Sequence, residues 1–184
     1  MSARVAAVVM VLVVVFGAGV ATGRFVFMPT AQETPGTDTT APTRGSQAWP
    51  IALGEEAQIG PWLLRVDDVV LDGTGRVLAA NQFNTAPSDG RAFVLVEIAV
   101  RRRLRGPGVL RGSVVPALTT PVGRRYPLTN DCGVLPAPLD PQQPVGQGQE
   151  LQGQWCWEVP GHDLAKVSLQ VADTAGGVVW FTLR

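Results

Sequence analysis

Residues 92–100, AFVLVEIAV, constrain this chain more than any other stretch. At period two, Val94, Val96, Ile98 and Val100 form a wholly apolar face, and Phe93, Leu95, Glu97 and Ala99 form a mixed one. A strand with one face that apolar needs a second layer over it, so the stretch predicts a central strand of a sheet, with its Glu97 side partly wet.

The neighbouring stretches repeat the alternation. Residues 54–59 and 62–71 flank Gly60-Pro61, a turn signal. In the second run Trp62, Leu64, Val66 and Val70 are expected on one face, with Arg65 and Asp67 on the other. Asp72-Gly73-Thr74-Gly75 breaks the chain before Val77-Leu78, and residues 81–90, NQFNTAPSDG, read as a loop. Residues 113–118 form a shorter strand whose Pro116 points to an edge or a bulge. A turn and a brief strand follow at 123–126, and residues 130–149, rich in Pro, Gly and Gln, read as a surface loop. From 150 to 159 the alternation resumes, with Leu151, Trp155, Trp157 and Val159 opposite Gln152, Gln154, Cys156 and Glu158. Val167, Leu169 and Val171 mark another strand, and residues 178–183 close the domain. Seven or eight short strands separated by turns predict an all-β fold, an antiparallel sandwich.

These residues carry a resemblance. Gly54-Glu55 ahead of Gly60-Pro61-Trp62, the strand Phe93-Val94-x-Val96-x-Ile98-x-Val100, Gly123-x-x-Tyr126, and Gly148-x4-Gly153 leading to Trp157-Glu158-Val159-Pro160 resemble a family of bacterial extracytoplasmic immunoglobulin-like domains of unknown function. The family is similar in fold to the secreted mycobacterial immunoprotective antigen. The resemblance covers residues 52–184 and implies an immunoglobulin-like sandwich hung from a lipoprotein or a single membrane span, with no activity to carry over. The chain departs from it at Arg101, Arg102 and Arg103, where members often carry Asn, and at Val122, where Asp commonly precedes the Gly-x-x-Tyr turn.

The other organising feature is at the start. Residues 5–21, VAAVVMVLVVVFGAGVA, hold no polar side chain, and as a helix they would reach about 25 Å. That is the short end of what crosses a bilayer core, and longer than a usual signal-peptide apolar region. Residues 1–28 are therefore read as a membrane anchor, the bulk of the chain lying outside the cell membrane. Cleavage after Gly19-Val20-Ala21, giving a secreted domain, is the alternative. Residues 29–50, PTAQETPGTDTTAPTRGSQAWP, are too poor in apolar side chains to repay the entropy of folding and read as a Thr/Pro-rich linker. Residues 51–184 are the sandwich.

Charge excludes one class of partner. The chain carries 15 basic and 15 acidic side chains, and nucleic-acid binding wants a strongly basic face. Cys132 and Cys156 are the only cysteines, and in an oxidising compartment an isolated pair is most simply a disulfide, which would pin the Pro-rich loop onto the outer face of the 150–159 strand. The competing reading is a redox pair, but there is no Cys-x-x-Cys.

Catalytic and metal signatures are weak. His162 is the sole histidine, in a Gly-His-Asp turn where a solvated role is expected. Asp67-Asp68 and Glu55-Glu56 are adjacent on predicted strands, so each pair diverges to opposite faces. Ser113 has no nucleophile elbow around it, and no phosphate-cradling glycine loop is present. No enzymatic activity, cofactor or metal site is expected. The candidate surface for an anionic partner is the run Arg101, Arg102, Arg103 and Arg105, joined by Arg111, Arg124 and Arg125 if turns gather them. Guanidinium forks suit the phosphates and carboxylates of anionic lipids and envelope polymers. The plainer reading is a solvated strand end that discourages edge pairing. The expectation is a membrane-tethered module that binds an envelope component or a partner protein. A purely structural module is the alternative.

Overall fold

A computed structural model describes residues 41–129 and 131–184. Eight strands are found among them: β1 (Glu56–Ile59), β2 (Trp62–Val70), β3 (Arg91–Arg102), β4 (Val114–Thr119), β5 (Arg125–Pro127), β6 (Glu150–Pro160), β7 (Ser168–Asp173) and β8 (Val178–Phe181). One short helix, α1 (Thr74–Ala80), precedes β3, and a 3-10 turn (Gly161–Lys166) follows β6. The strands make two antiparallel four-stranded sheets, ordered β1-β2-β3-β6 and β5-β4-β7-β8.

The period-two reading places the core correctly. Val94, Val96, Ile98 and Val100 of β3 are fully buried, with Trp62, Leu64 and Val66 of β2 beside them. Across β3 the register sets Val94 against Trp157 and Val96 against Trp155 of β6. Leu118, Leu169, Val171 and Phe181 face them from the second sheet. The expectation for Val70 is overturned. A β-bulge between Val66 and Asp68 adds one residue to β2 and reverses its phase, so Val69 packs against the main core and Val70 against the outer face.

The mixed face of β3 is drier than its sequence suggests. Phe93 and Leu95 are each 1% exposed, because a second apolar cluster forms on the outside of the first sheet from these two, Val77, Cys132 and Cys156. Helix α1 supplies Val77, and a disulfide between Cys132 and Cys156 brings the 130s loop over the same patch. The break expected at 72–75 is in fact the start of this helix. Asp72 Oδ1 accepts the Thr74 N–H at 3.2 Å, and the Gly73 N–H donates to the Phe93 carbonyl at 2.6 Å. A Cβ on Gly73 would stand 2.7 Å from Leu95 Cγ, so only glycine lets the helix start this close to the sheet.

Gly45, linker by composition, hydrogen-bonds to the domain beside Ile51. The Trp180 N–H donates to the Gly45 carbonyl, and the Ile51 N–H to the Trp180 carbonyl, both at 2.8 Å. The Thr182 N–H donates to the Ile51 carbonyl at 2.9 Å, so this segment runs along the edge of β8. Trp49 remains 51% exposed. The apolar run at 5–21 and the first part of the linker lie outside the described residues. Among the described residues no helix is long and apolar enough to cross a membrane.

Candidate functional site

The arginine run lies where β3 ends, and alternation sorts it as the strand period requires. Arg101 reaches across β2 to grip Glu56 of β1, its Nη2 2.6 and 2.7 Å from the two carboxylate oxygens. Arg103 points the same way and donates to the Gln58 side chain, while its N–H donates to the Pro61 carbonyl at 2.9 Å. Arg102 takes the other face. Its guanidinium lies 5.2 Å from the centre of the Trp62 ring, a cation–π contact, and its Nε donates to the Gly106 carbonyl at 2.9 Å. Arg105 stands exposed in the turn that follows. Three of the four side chains are thus engaged within the protein, two of them on the edge strand β1.

Arg124 does not join them. It belongs to the opposite end of the sandwich, where β6 ends and the 3-10 turn begins. There the side chain of Asp163 is wholly buried, although the Gly-His-Asp sequence reads as a solvated turn. Tyr126 of β5 donates its hydroxyl to Oδ2 at 2.5 Å, and Arg124 Nη2 donates to Oδ1 at 3.1 Å. Lys166 Nζ is 3.8 Å from Oδ1, and His162 Nε2 is 3.7 Å from Oδ2. The Tyr126 hydrogen bond, outweighing the cost of burial, and the positive field of Arg124, His162 and Lys166 hold the Asp163 carboxyl below its usual range. Burial and that same hydrogen bond push the Tyr126 phenol up, so it stays a donor. The carboxylate ties the 3-10 turn to β5, and His162 itself is 63% exposed, as expected of it. Nearby, burial raises Glu158, but the Ser88 N–H and the Arg91 guanidinium more than offset it and leave the carboxyl lowered.

Of the adjacent carboxylates, Glu55 meets Arg44 at 2.5 Å and Glu56 meets Arg101, but Asp67 and Asp68 do not diverge: the bulge in β2 puts both on the outer face, Asp67 against Arg65 and Asp68 opposite Glu97, 3.9 Å from Arg76. Ser113 donates its hydroxyl to the Val109 carbonyl at 3.0 Å. What sequence reasoning missed is the Asp163 anchor. The signal available for it was the single tyrosine of the Gly-x-x-Tyr turn, whose hydroxyl needs a partner once its ring packs against the core.

Two facing antiparallel four-stranded sheets with a shared apolar core define an antiparallel β-sandwich protein, with a disulfide on the outer face of one sheet. Compared by sequence, the chain matches no protein-family model and no curated protein. Compared by fold, it is similar to a conserved hypothetical protein from Bacillus anthracis, at 12% identity over 71% of this chain and 94% of that one, with a TM-score of 0.51. It is also similar to MPT63, a secreted protein from Mycobacterium tuberculosis, at 17% identity over 73% and 98% of the two chains, with a TM-score of 0.48. An uncharacterised β-sandwich protein from Clostridium difficile gives 8% identity over 78% and 99%, with a TM-score of 0.47. At such identities the likeness is one of fold alone.

Proposed function

We propose that this chain is an extracytoplasmic β-sandwich module, held at the cell membrane by residues 5–21 and lifted from it by the Thr/Pro-rich stretch, that meets an envelope component or a partner protein through its surface. The observation that carries this reading is the Cys132–Cys156 disulfide. It closes the outer apolar cluster, and such a bond persists in oxidising compartments, in keeping with an N-terminal run suited to export. A binding rather than catalytic role is supported by how the polar groups are used: Asp163, Glu158 and Glu56 are each bound by cations and donors of the fold itself.

The engagement of Arg101 with Glu56 and of Arg102 with Trp62 favours a second reading, a structural envelope module with no specific ligand. On the binding reading the anionic partner meets Arg103 and Arg105, where no carboxylate lies within ion-pairing distance among the described residues.

Cell fractionation, N-terminal sequencing of the mature protein, and alkylation with a membrane-impermeant thiol reagent test the location. The expected result is a membrane-fraction protein that resists alkylation until it is reduced. A soluble internal protein with two free thiols would refute it. Retention on anionic vesicles at low salt, compared with an Arg103→Ala/Arg105→Ala variant, separates the two readings of the surface. Loss of retention supports the binding module, and no retention by either protein supports the structural one.

A further inference from the structure

The turn that leads from β3 to β4, residues 103–112, presents two kinds of side chain together. Arg103, Arg105 and Arg111 are exposed, and so are Leu104 and Val109, by 56% and 40%. From residue 98 to residue 130 the sequence holds no acidic side chain. The carboxylates at this end of the fold are engaged elsewhere: Glu56 by Arg101, Glu150 by Arg65 at 3.7 Å, Asp140 by the Gln142 N–H, and Asp173 by the Ala175 and Gly177 N–H groups. The turn is also held in shape. Arg102 lies beneath it, with its Nε on the Gly106 carbonyl and its guanidinium on the Trp62 ring, so close that a Cβ on Gly108 would overlap it. Gly108 and Val145 exchange N–H···O bonds at 3.0 and 2.8 Å, and Ser113 Oγ donates to the Val109 carbonyl.

We infer that this turn docks on an anionic lipid bilayer, Leu104 and Val109 entering the boundary between headgroups and acyl chains while Arg103, Arg105 and Arg111 meet lipid phosphates. The inference rests on the envelope-contact reading proposed above and names its partner. Charge selects an anion, and the apolar side chains among the arginines select which anion. A soluble polyanion leaves Leu104 and Val109 in water, whereas a bilayer surface gives them an apolar medium at the depth where guanidinium heads reach phosphate. A turn already fixed by Arg102 loses little freedom on docking. Two other exposed apolar sites lack this combination. Phe83 is 82% exposed, but residues 81–90 hold no cation. Val122 is exposed at the opposite end, where Arg124 and Lys166 are both drawn onto Asp163. The arginine turn also lies at the end near which the chain joins the sandwich. The Arg103 N–H donates to the Pro61 carbonyl, Gly60 beside it lies against Asp173 at the close of β7, and Gly45 is bonded to Trp180 of β8, the strand that returns from there.

The test uses the full chain in lipid nanodiscs and reads sub-second amide hydrogen exchange in residues 103–112. Three conditions are compared: phosphatidylcholine discs, discs of phosphatidylcholine mixed with phosphatidylglycerol, and phosphatidylcholine discs with soluble polyphosphate added. A chain that does not incorporate meets the same lipids as vesicles, from solution. In the anionic discs the turn should exchange about tenfold more slowly than in neutral ones, the slowing of a turn docked about nine-tenths of the time, with residues 121–125 unchanged. One arginine at an anionic surface multiplies the docked population about fivefold, so Arg103→Ala/Arg105→Ala should lower docking about 25-fold and return the turn to its neutral-disc rate. Leu104→Ser/Val109→Ser should do the same while any response to polyphosphate survives, because its arginines are intact. Slowing by polyphosphate alone, or slowing in anionic discs that the serine variant keeps, would overturn the bilayer inference and leave an anionic partner of another kind standing. No slowing under either condition would overturn both. The thermal unfolding midpoint checks each variant, and Leu104→Ser alone takes the place of the double variant if that does not fold.

Discussion

Reducing the Cys132–Cys156 bond should cost this domain a large part of its stability. The bond joins residues 24 apart, closing a loop of about 25 residues, and the chain-entropy relation gives about 3.5 kcal/mol at 25 °C for a loop of that size. The structure adds to this in the same direction. The bond is the covalent tie between the 130s loop and the strand it covers, so losing it also loosens Leu135 from Phe93 and Leu95. With a urea slope of about 2 kcal/mol/M, the unfolding midpoint should fall by roughly 1.5–2 M on reduction. The assay is equilibrium urea unfolding of residues 41–184, oxidised and reduced, followed by tryptophan fluorescence, with a Cys132→Ser/Cys156→Ser variant as a control against reductant effects. A midpoint shift below about 0.5 M would refute the reasoning, because it would mean that the loop is held as well without the bond. The slope is a second check. The reduced protein should show an equal or larger value, since its unfolded chain is less compact.

Gly153→Ala should destabilise the domain by about 1–3 kcal/mol in the same urea assay, because the new Cβ would stand 2.5 Å from Leu139 Cα and 2.6 Å from its backbone nitrogen, atoms that cannot swing aside. Tyr126→Phe should cost about 1.5 kcal/mol, the low end for a hydrogen bond to a charged acceptor, since Tyr126 is only partly buried. Asp163→Asn should lower stability at pH 7 and change the acid limb. The native carboxyl sits below its unfolded value of about 3.9, so its contribution is fully present above that pH and is lost as pH falls through the native value. The gap between the native chain and Asp163→Asn should therefore narrow below about pH 4, and a gap constant from pH 7 to 3 would contradict the ionised anchor. Arg101→Ala should speed amide hydrogen exchange in β1 while leaving β6 unchanged, because Arg101 straps β1 across β2 through Glu56.

The main core was legible because β3 and β6 alternate without interruption, so a period of two sorts their side chains without knowledge of the partner sheet. Where a bulge intervenes, at Asp67, the same reading fails by one residue and misplaces Val70. The disulfide was legible from count and compartment, but its companion helix was not. Thr74–Ala80 is seven residues long with one buried position, too short for a 3.6-residue period to register. The dryness of Phe93 and Leu95 follows from that helix and from the loop, both distant in sequence. The arginine run was visible as charge, whereas its internal partners Glu56, Gln58 and Trp62 depend on strand pairing across 40 residues or more. Asp163 was the least legible, since composition around Gly161 gives a turn, and its burial is decided by Tyr126 and Arg124 from the other sheet.

Where this surface can meet a partner follows from how its strand edges are occupied. Sandwiches expose two edges per sheet, each a template for pairing with another chain. The β6 edge is covered over residues 137–139 by the loop that the disulfide holds, and the β8 edge by residues 45–51. β5 pairs over three residues only and ends in Pro127, which offers no N–H. That leaves β1, four residues long, whose Glu56 and Gln58 side chains are gripped by Arg101 and Arg103. Arginines drawn onto this edge keep it charged and hold it to its own sheet, which discourages strand addition. With the edges so occupied, the proposed contact with an envelope component would fall to side-chain surfaces such as the turn beyond Arg103 rather than to strand addition.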